Sequence, residues 1–330
     1  MGYLKIKNLY KKQGDFTLDI EDLEIQKGSI FGILGHSGAG KSTFLNILAG
    51  LEKQERGEII LDNNKIGEKT PYQRDISYVF QNSLLFEHLN VKENLEYLLK
   101  AKGIKKALFE QKVDRSLCEC EALDLKYRDI KTLSGGEKQR VAIACALMFK
   151  PKLMILDEPF SNLDTALKIK MRIFLKNMVK KHNLTTLIVS HDKEDAFTLF
   201  DQMVLMQNGK AIQIGTPREI YEKPNSIQSA NYFGLDNIFN GKIENSIFKS
   251  VDFSFQLHNK NSENITVYIP QRAIAFEPKG KIEIKEKTFI DGRWKTVLEN
   301  NLVLYSIDEL FGKFKVSIDE KEIVLLKDIR

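Results

Sequence analysis

The stretch GHSGAGKST, residues 35–43, constrains this chain more than any other. It fits G-x-x-x-x-G-K-[ST], with an apolar run, SIFGILG (29–35), before it and a helical segment, KSTFLNILAG (41–50), after it. That order reads as a strand, a tight loop and a helix. Gly35, Gly38 and Gly40 let the backbone bend around a phosphate group so that amide N–H groups point inward. The helix starting near Lys41 adds its positive N-terminal end. The pattern therefore assigns Gly35, His36, Ser37, Gly38, Ala39, Gly40, Lys41, Ser42 and Thr43 to a nucleotide. In it Lys41 reaches the β- and γ-phosphates, the Ser42 hydroxyl can ligand Mg2+, and Thr43 is a further phosphate contact.

The rest of residues 1–235 agrees with a mixed α/β unit. KLMILD (152–157) and TTLIVSH (185–191) read as buried parallel strands. RGEIILD (56–62) reads as an outer strand, and VLMQNGKAIQIG (204–215) as a hairpin turning at Asn208-Gly209. A charged helical stretch, about 84–132, interrupts the alternation. From residue 236 the pattern changes to period two, as in VDFSFQL (251–257), KIEIK (281–285) and KFKVSID (313–319). Turn signals at Pro278-Lys279-Gly280 and Asp291-Gly292 separate these runs, which predicts a small all-β barrel or sandwich. With 330 residues, the chain has room for one large domain and a smaller one.

Composition excludes several classes. No run of 18 apolar residues exists to span a bilayer, and MGYLKIKNLYKKQGDF has no signal-peptide core, so the expected compartment is the cytosol. Cys118, Cys120 and Cys145 form neither a disulfide framework nor a paired zinc spacing. A net charge of +5 is no nucleic-acid signal, and residues 237–330 nearly cancel, with 15 Lys/Arg against 14 Asp/Glu.

Several polar residues fall where a phosphate loop needs partners. LMILDEPFSNLD (153–164) is a hydrophobic run ending in two acids. Asp157 at the strand tip would hold Mg2+, directly or through water, and Glu158 would orient and polarise an attacking water. His191 ends another buried run, at the sheet edge where open α/β folds bind ligands, and could bond the γ-phosphate. Gln81, ending YVFQNS (78–83) and bordering the helical stretch, can reach Mg2+ or water.

LSGGEKQR (133–140) is a second candidate phosphate grip. Ser134 and Glu137 form a capping box ahead of an apolar helix, VAIACALMF (141–149). The cap accounts for the Ser and the Glu but not for two consecutive glycines, which weaken a helix start unless backbone must approach something closely. Taken together, the phosphate loop, the Gln81 loop, LSGGE-x-QR, LMILDEP, SNLD and the terminal His resemble the ATP-binding-cassette ATPases over nearly all of 1–235. The resemblance implies a P-loop, RecA-like α/β nucleotide-binding domain with an α-helical insert, which binds and hydrolyses ATP with Mg2+. It implies a head-to-tail homodimer, in which Ser134, Gly135, Gly136 and Glu137 of one copy close over the nucleotide of the other. Asp164 would then lie at the dimer seam. It further implies an aromatic stacked on adenine, for which Phe16 is the better candidate and Tyr10 the next.

A translation-type or repair-type cassette protein would carry two cassettes, a coiled coil or a zinc module, and an exporter would often carry fused membrane helices. The appended β region instead resembles the OB-like TOBE-type regulatory barrel of importer ATPases, through FGLDNIFNGKI (233–243) and VYIPQRAIAFEP (267–278). Its Ile-Pro-x-x-Ala-Ile stretch and DGRWKTVL (291–298) look most like the molybdate/tungstate branch, with polyamine, sulfate and ferric importers as alternatives. The expectation is a subunit peripheral on the inner face of the membrane, under separate permease subunits, served indirectly by a solute-binding protein, with no nucleic-acid partner. Domains are expected at 1–235 and 236–330.

Overall fold

A computed structural model of the chain describes residues 2–81 and 84–328. It divides into two compact units, residues 1–217 and 218–330. The first contains β1 (Leu4–Gln13), β2 (Phe16–Ile25), β3 (Ile30–Leu34), α1 (Lys41–Ala49), β4 (Arg56–Leu61), β5 (Asn64–Lys65) and β6 (Ile76–Val79). These are followed by α2 (Val91–Ala101), α3 (Phe109–Glu119), α4 (Gly135–Leu147), β7 (Leu153–Asp157) and α5 (Thr165–His182). The unit closes with β8 (Thr185–Ser190), α6 (Lys193–Leu199), β9 (Gln202–Gln207) and β10 (Lys210–Gly215).

One ten-stranded sheet carries all of these strands, in the order β5-β4-β1-β2-β10-β9-β3-β8-β7-β6. The β9-β3-β8-β7-β6 half is parallel. Its strands β3 and β8 are buried at every residue, as unbroken apolar runs in a doubly covered parallel sheet should be. The β5-β4-β1-β2 half is antiparallel. There β2 alternates, burying Leu18 and Ile20 while Asp19 and Glu21 face water. Strand β4 lies one strand in from the edge, outside which only the two-residue β5 is added.

The parallel half sets the site. The carboxyl ends of β3, β7 and β8 deliver the loop at 35–40, the acids 157–158 and the turn at 190–192 to one sheet edge. The hairpin β9–β10 turns through Asn208 (φ 49°) and Gly209 (φ 76°), the pair of left-handed residues that a tight hairpin matched to strand twist requires. Its tip supports the phosphate loop from behind. The Gly209 N–H donates to the Ala39 carbonyl (3.0 Å), and the Asp19 N–H donates to the Gly209 carbonyl (2.8 Å). A Cβ on Gly209 would stand 1.8 Å from the Thr17 carbonyl oxygen, so no other residue fits there.

The helical insert contains α2 and α3, packed on each other and on α4. Asn90 caps α2, accepting from the Glu93 N–H (2.9 Å) while Glu93 accepts from the Asn90 N–H (2.8 Å). Buried Asn94 holds the segment before the helix, bonding Phe86 through both its N–H (2.7 Å) and its carbonyl (3.1 Å).

The second unit contains α8 (Ile227–Phe233), preceded by α7 (Pro217–Glu222), then β11 (Ile238–Glu244), β12 (Ile247–Lys249), β13 (Ser254–Gln256), β14 (Ser262–Tyr268) and β15 (Ile274–Ile282). It ends with β16 (Ile284–Ile290), β17 (Arg293–Leu298), β18 (Val303–Ser306), β19 (Phe314–Ile318) and β20 (Val324–Leu326). Three antiparallel sheets result, β13-β12-β11-β14-β20, β15-β19 and β16-β17-β18, consistent with an OB-like domain. They enclose a core of their own that includes Phe248, Val267, Ile269, Leu298, Leu304 and Phe314.

Two local expectations change. Pro278-Lys279-Gly280 is no turn between strands: it lies inside β15, where Lys279 (φ 68°) makes a bulge and the register to β19 shifts between Pro278 and Ile282. Only Ser254–Gln256 of the 251–257 run forms a strand. The period-two pattern begins near 236, whereas the compact division falls at 217/218. The difference is α8, whose Ala230 packs with Tyr268 and Leu326 of the β sheet.

Candidate functional site

The phosphate-type loop opens onto a cleft of about 500 Å3. Ser37, Gly38, Ala39, Gly40, Lys41, Ser42 and Thr43 line it, joined by Phe16 from β2, Gln81, Asp157, Glu158 and His191. Elements far apart in sequence thus bring these predicted residues to one place. Gly38 (φ 78°) and Gly40 (φ 95°) take left-handed backbone, and Gly40 is the residue from which α1 starts. Gly35 and His36 contribute through their backbone: the buried Lys41 ammonium donates to both carbonyls, at 2.7 and 2.9 Å. Burial lowers the Lys41 pKa, while Glu158 and Asp157 pull it the other way.

The two acids sit in different settings. Asp157 is half-buried, and the Tyr78 hydroxyl donates to its Oδ2 at 3.0 Å. Burial raises its pKa, opposed by that hydrogen bond and by Lys41. Glu158 adopts φ 46°, a left-handed backbone that costs a non-glycine residue about 1–3 kcal/mol. Its N–H is fixed on the Val189 carbonyl (3.0 Å). Its Oε2 accepts from Gln81 Nε2 at 3.0 Å and lies 3.4 Å from His191 Nδ1. Glu158, Gln81 and His191 therefore form one contact group from three strand ends.

The turn bearing His191 is held from behind. Arg172 of α5, whose side chain is 5% exposed, donates to Asp192 (2.8 Å), Glu194 (2.8 Å) and Asp195 (2.6 Å). Ser190 Oγ donates to Asp195 and accepts from the Asp192 N–H (2.9 Å).

LSGGE lies elsewhere. Ser134 caps α4 in the expected box: its hydroxyl and N–H both reach Glu137 Oε2 at 2.7 Å, and its Oγ takes the Glu137 N–H at 3.4 Å. These bonds, backbone first, hold the Glu137 carboxyl below its ordinary range. Ser134 and Gly135 are exposed, Gly136 is buried, and none of them lines the loop cleft of its own chain. Gly135 instead lines a second depression of about 450 Å3, which shares Gln81 and Glu158 as a wall. The two glycines also have a packing reason: Cβ atoms there would stand 2.9 Å from Leu163 and from Leu167. Asp164 is exposed and caps α5, accepting from the Leu167 N–H at 2.9 Å.

Of the two aromatic candidates, Phe16 lines the cleft and Tyr10 does not. The Tyr10 ring packs under the Arg56 guanidinium, 4.2 Å from its centroid. Gln13, near which the family's aromatic slot falls and where this chain departs from the pattern, also lines the cleft. Sequence reasoning missed Tyr78 on Asp157 and the Arg172 cluster. Each looked like an ordinary strand or helix residue, and no motif marks any of them. Among the described residues no group of three or more His, Cys, Asp or Glu gathers as a metal site. The side-chain oxygens that line the cleft include the Ser42 hydroxyl, the Asp157 carboxylate and the Gln81 amide, hard donors of the kind that Mg2+ takes.

Comparison with known proteins agrees with this geometry. Residues 18–161 match the ABC transporter family. The spermidine/putrescine import ATP-binding protein of Clostridium acetobutylicum is 37% identical over 350 residues, covering 96% of this chain and 98% of that protein. The Fe(3+) ions import ATP-binding protein of Mannheimia succiniciproducens is 33% identical over 324 residues, covering 94% of this chain and 92% of that one. The solved structure of cbiO1 from Clostridium perfringens, part of the ABC transporter complex cbiONQ, superposes with a TM-score of 0.62 at 30% identity, covering 66% of this chain and 90% of that one. With a P-loop cleft closed by two acids, a Gln and a His, and relatives aligned along almost its entire length, the chain belongs to the ABC transporter family, as an ATP-hydrolysing subunit of the importer type.

Proposed function

We propose that this subunit powers polyamine uptake, acting as a pair of identical copies beneath a separate permease that is fed by a solute-binding protein. The observation that carries the solute class is the polyamine-import relative aligned across both units, at 37% identity against 33% for the ferric relative of comparable span, although a ferric relative aligned over 74% of the chain reaches 40%. The motifs that resemble the molybdate/tungstate branch do not carry the solute, because these relatives are named for polyamine and ferric uptake. Ferric ion is the second reading, since that relative also spans both units.

In this reading the 35–43 loop and the amino end of α1 hold the ATP phosphates, with Lys41 on the β- and γ-groups. Phe16 stacks on the base. Ser42, Asp157 and Gln81 would hold Mg2+, which supplies charge compensation to the phosphate oxygens when bound. Glu158 accepts the proton of the attacking water, oriented for it by Gln81 and His191. Ser134, Gly135, Gly136 and Glu137 act on the partner copy's nucleotide; the exposure of Ser134 and Gly135, outside their own cleft, supports this. Asp164 lies at the seam. An apolar depression of about 280 Å3, lined by Leu84, Leu85, Leu98 and Phe149 beside the Gln81 loop, supports the helical insert as the permease contact. The described residues include no helix long and apolar enough to cross a membrane, so the translocation path is assigned to partner subunits. The second unit is read as a regulatory barrel.

Deleting this chain from its host should abolish uptake of radiolabelled spermidine and putrescine while leaving ferric uptake intact. The wild-type chain should restore uptake and Lys41→Ala should not. Lost ferric uptake with normal polyamine uptake would install the second reading; full rescue by Lys41→Ala would defeat the phosphate-loop assignment.

A further inference from the structure

We infer that the Tyr78 hydroxyl is a positioning group for Asp157 and, through it, for the divalent cation that accompanies ATP. The inference rests on the reading of Asp157 as a cation ligand. Strand β6 lies at the sheet edge and runs parallel to β7, with Tyr78 in register with Ile155. From there its hydroxyl reaches Asp157, two residues further along β7, at 3.0 Å. Three residues after Tyr78, Gln81 donates to Glu158 at 3.0 Å. One short strand and its exit thus give a donor to each of two consecutive carboxylates. The Tyr78 ring is itself fixed, stacked on Phe80 with centroids 4.0 Å apart and planes 14° from parallel.

The chemistry of the pair supports a role beyond packing. The terminal torsion of an Asp side chain is broad and roughly two-fold, so the backbone alone does not decide where each oxygen points. A phenol on Oδ2 decides it, because a carboxylate can only accept from it. Partners that orient a ligating carboxylate are part of the metal site in practice, and their loss costs about 10–100-fold in metal affinity or activity. A tyrosine needed only for its ring would lose nothing on becoming phenylalanine.

The test uses the full chain and a non-hydrolysable ATP analogue, titrated by calorimetry in excess EDTA and then at stepped Mg2+. Tyr78→Phe should leave the EDTA affinity unchanged and raise the Mg2+ concentration that half-tightens binding by about tenfold. Ser77→Ala removes a neighbouring hydroxyl, one that donates to the Ala146 carbonyl at 2.8 Å, and should change neither value. An unchanged Mg2+ midpoint in Tyr78→Phe would overturn the proposal. So would an equal loss in EDTA, or the same shift in Ser77→Ala, since either would mean general loosening of β6. A wild-type chain whose affinity ignores Mg2+ would instead sink the cation reading of Asp157, and the proposal with it.

Discussion

Glu158 is the residue on which the proposed base role and the backbone strain of the site meet. Its left-handed φ of 46° is kept by the bond of its N–H to Val189, and its carboxylate is met by Gln81 and lies beside His191. Glutamine has the same length and preserves the backbone, but it cannot take a proton. Glu158→Gln should therefore bind ATP normally and lose turnover by about 10²–10⁴-fold, the usual weight of a positioned general base. With hydrolysis blocked, the ATP-bound pair should persist as a dimer on size-exclusion chromatography. A monomer with wild-type turnover would contradict both the base role and the shared site. Asp157, Glu158 and His191 could be found in the sequence because each lies within two residues of the end of an apolar run, and a strand end is a one-dimensional signal. Tyr78 could not, since one aromatic in a four-residue strand looks like any other.

At the next level up, α5 is the element that would join the proposed dimer seam to the site. It begins at Asp164 and, two turns on, buries Arg172 among Asp192, Glu194 and Asp195. A guanidinium hidden there is tolerable because three carboxylates meet it, and the same pairs fix the turn carrying His191. Arg172→Met would strand the buried Asp195 carboxylate and should cost about 3–5 kcal/mol in urea unfolding. Because the turn loosens while the phosphate loop does not, turnover should fall further than ATP affinity. Equal losses in both, or an unchanged unfolding midpoint, would assign Arg172 no part in holding His191. Nothing in the sequence announces this cluster. Its members lie in two elements, and each reads as a solvated helical charge until the fold brings them together. The Lys279 bulge was hidden for a similar reason, since Pro-Lys-Gly has the composition of a turn whether the strand ends or only kinks.

The two units each own a hydrophobic core, and the compact division between them precedes the change in sequence pattern. The change to alternation at 236 is real, yet α8 packs its Ala230 against Tyr268 and Leu326, and the Ile227 N–H donates to the Lys327 carbonyl (3.0 Å). A fragment of residues 218–330 should fold cooperatively by circular dichroism. One starting at 236 would uncover two or three apolar side chains and should be about 3–6 kcal/mol less stable in urea. Equal stability would put the boundary at the pattern change. The sheet order of the first unit has another consequence, for the time of synthesis. Strand β3, which ends in the phosphate loop, is flanked by β8 and β9, both made far later. On a ribosome adding about 5–20 residues per second, IFGIL waits through roughly 150 further residues, some 8–30 s, with both edges unpaired. The nascent chain therefore carries a wholly buried strand with bare edges while nearly half of its length is made, and that interval is where a chaperone has the most to shield.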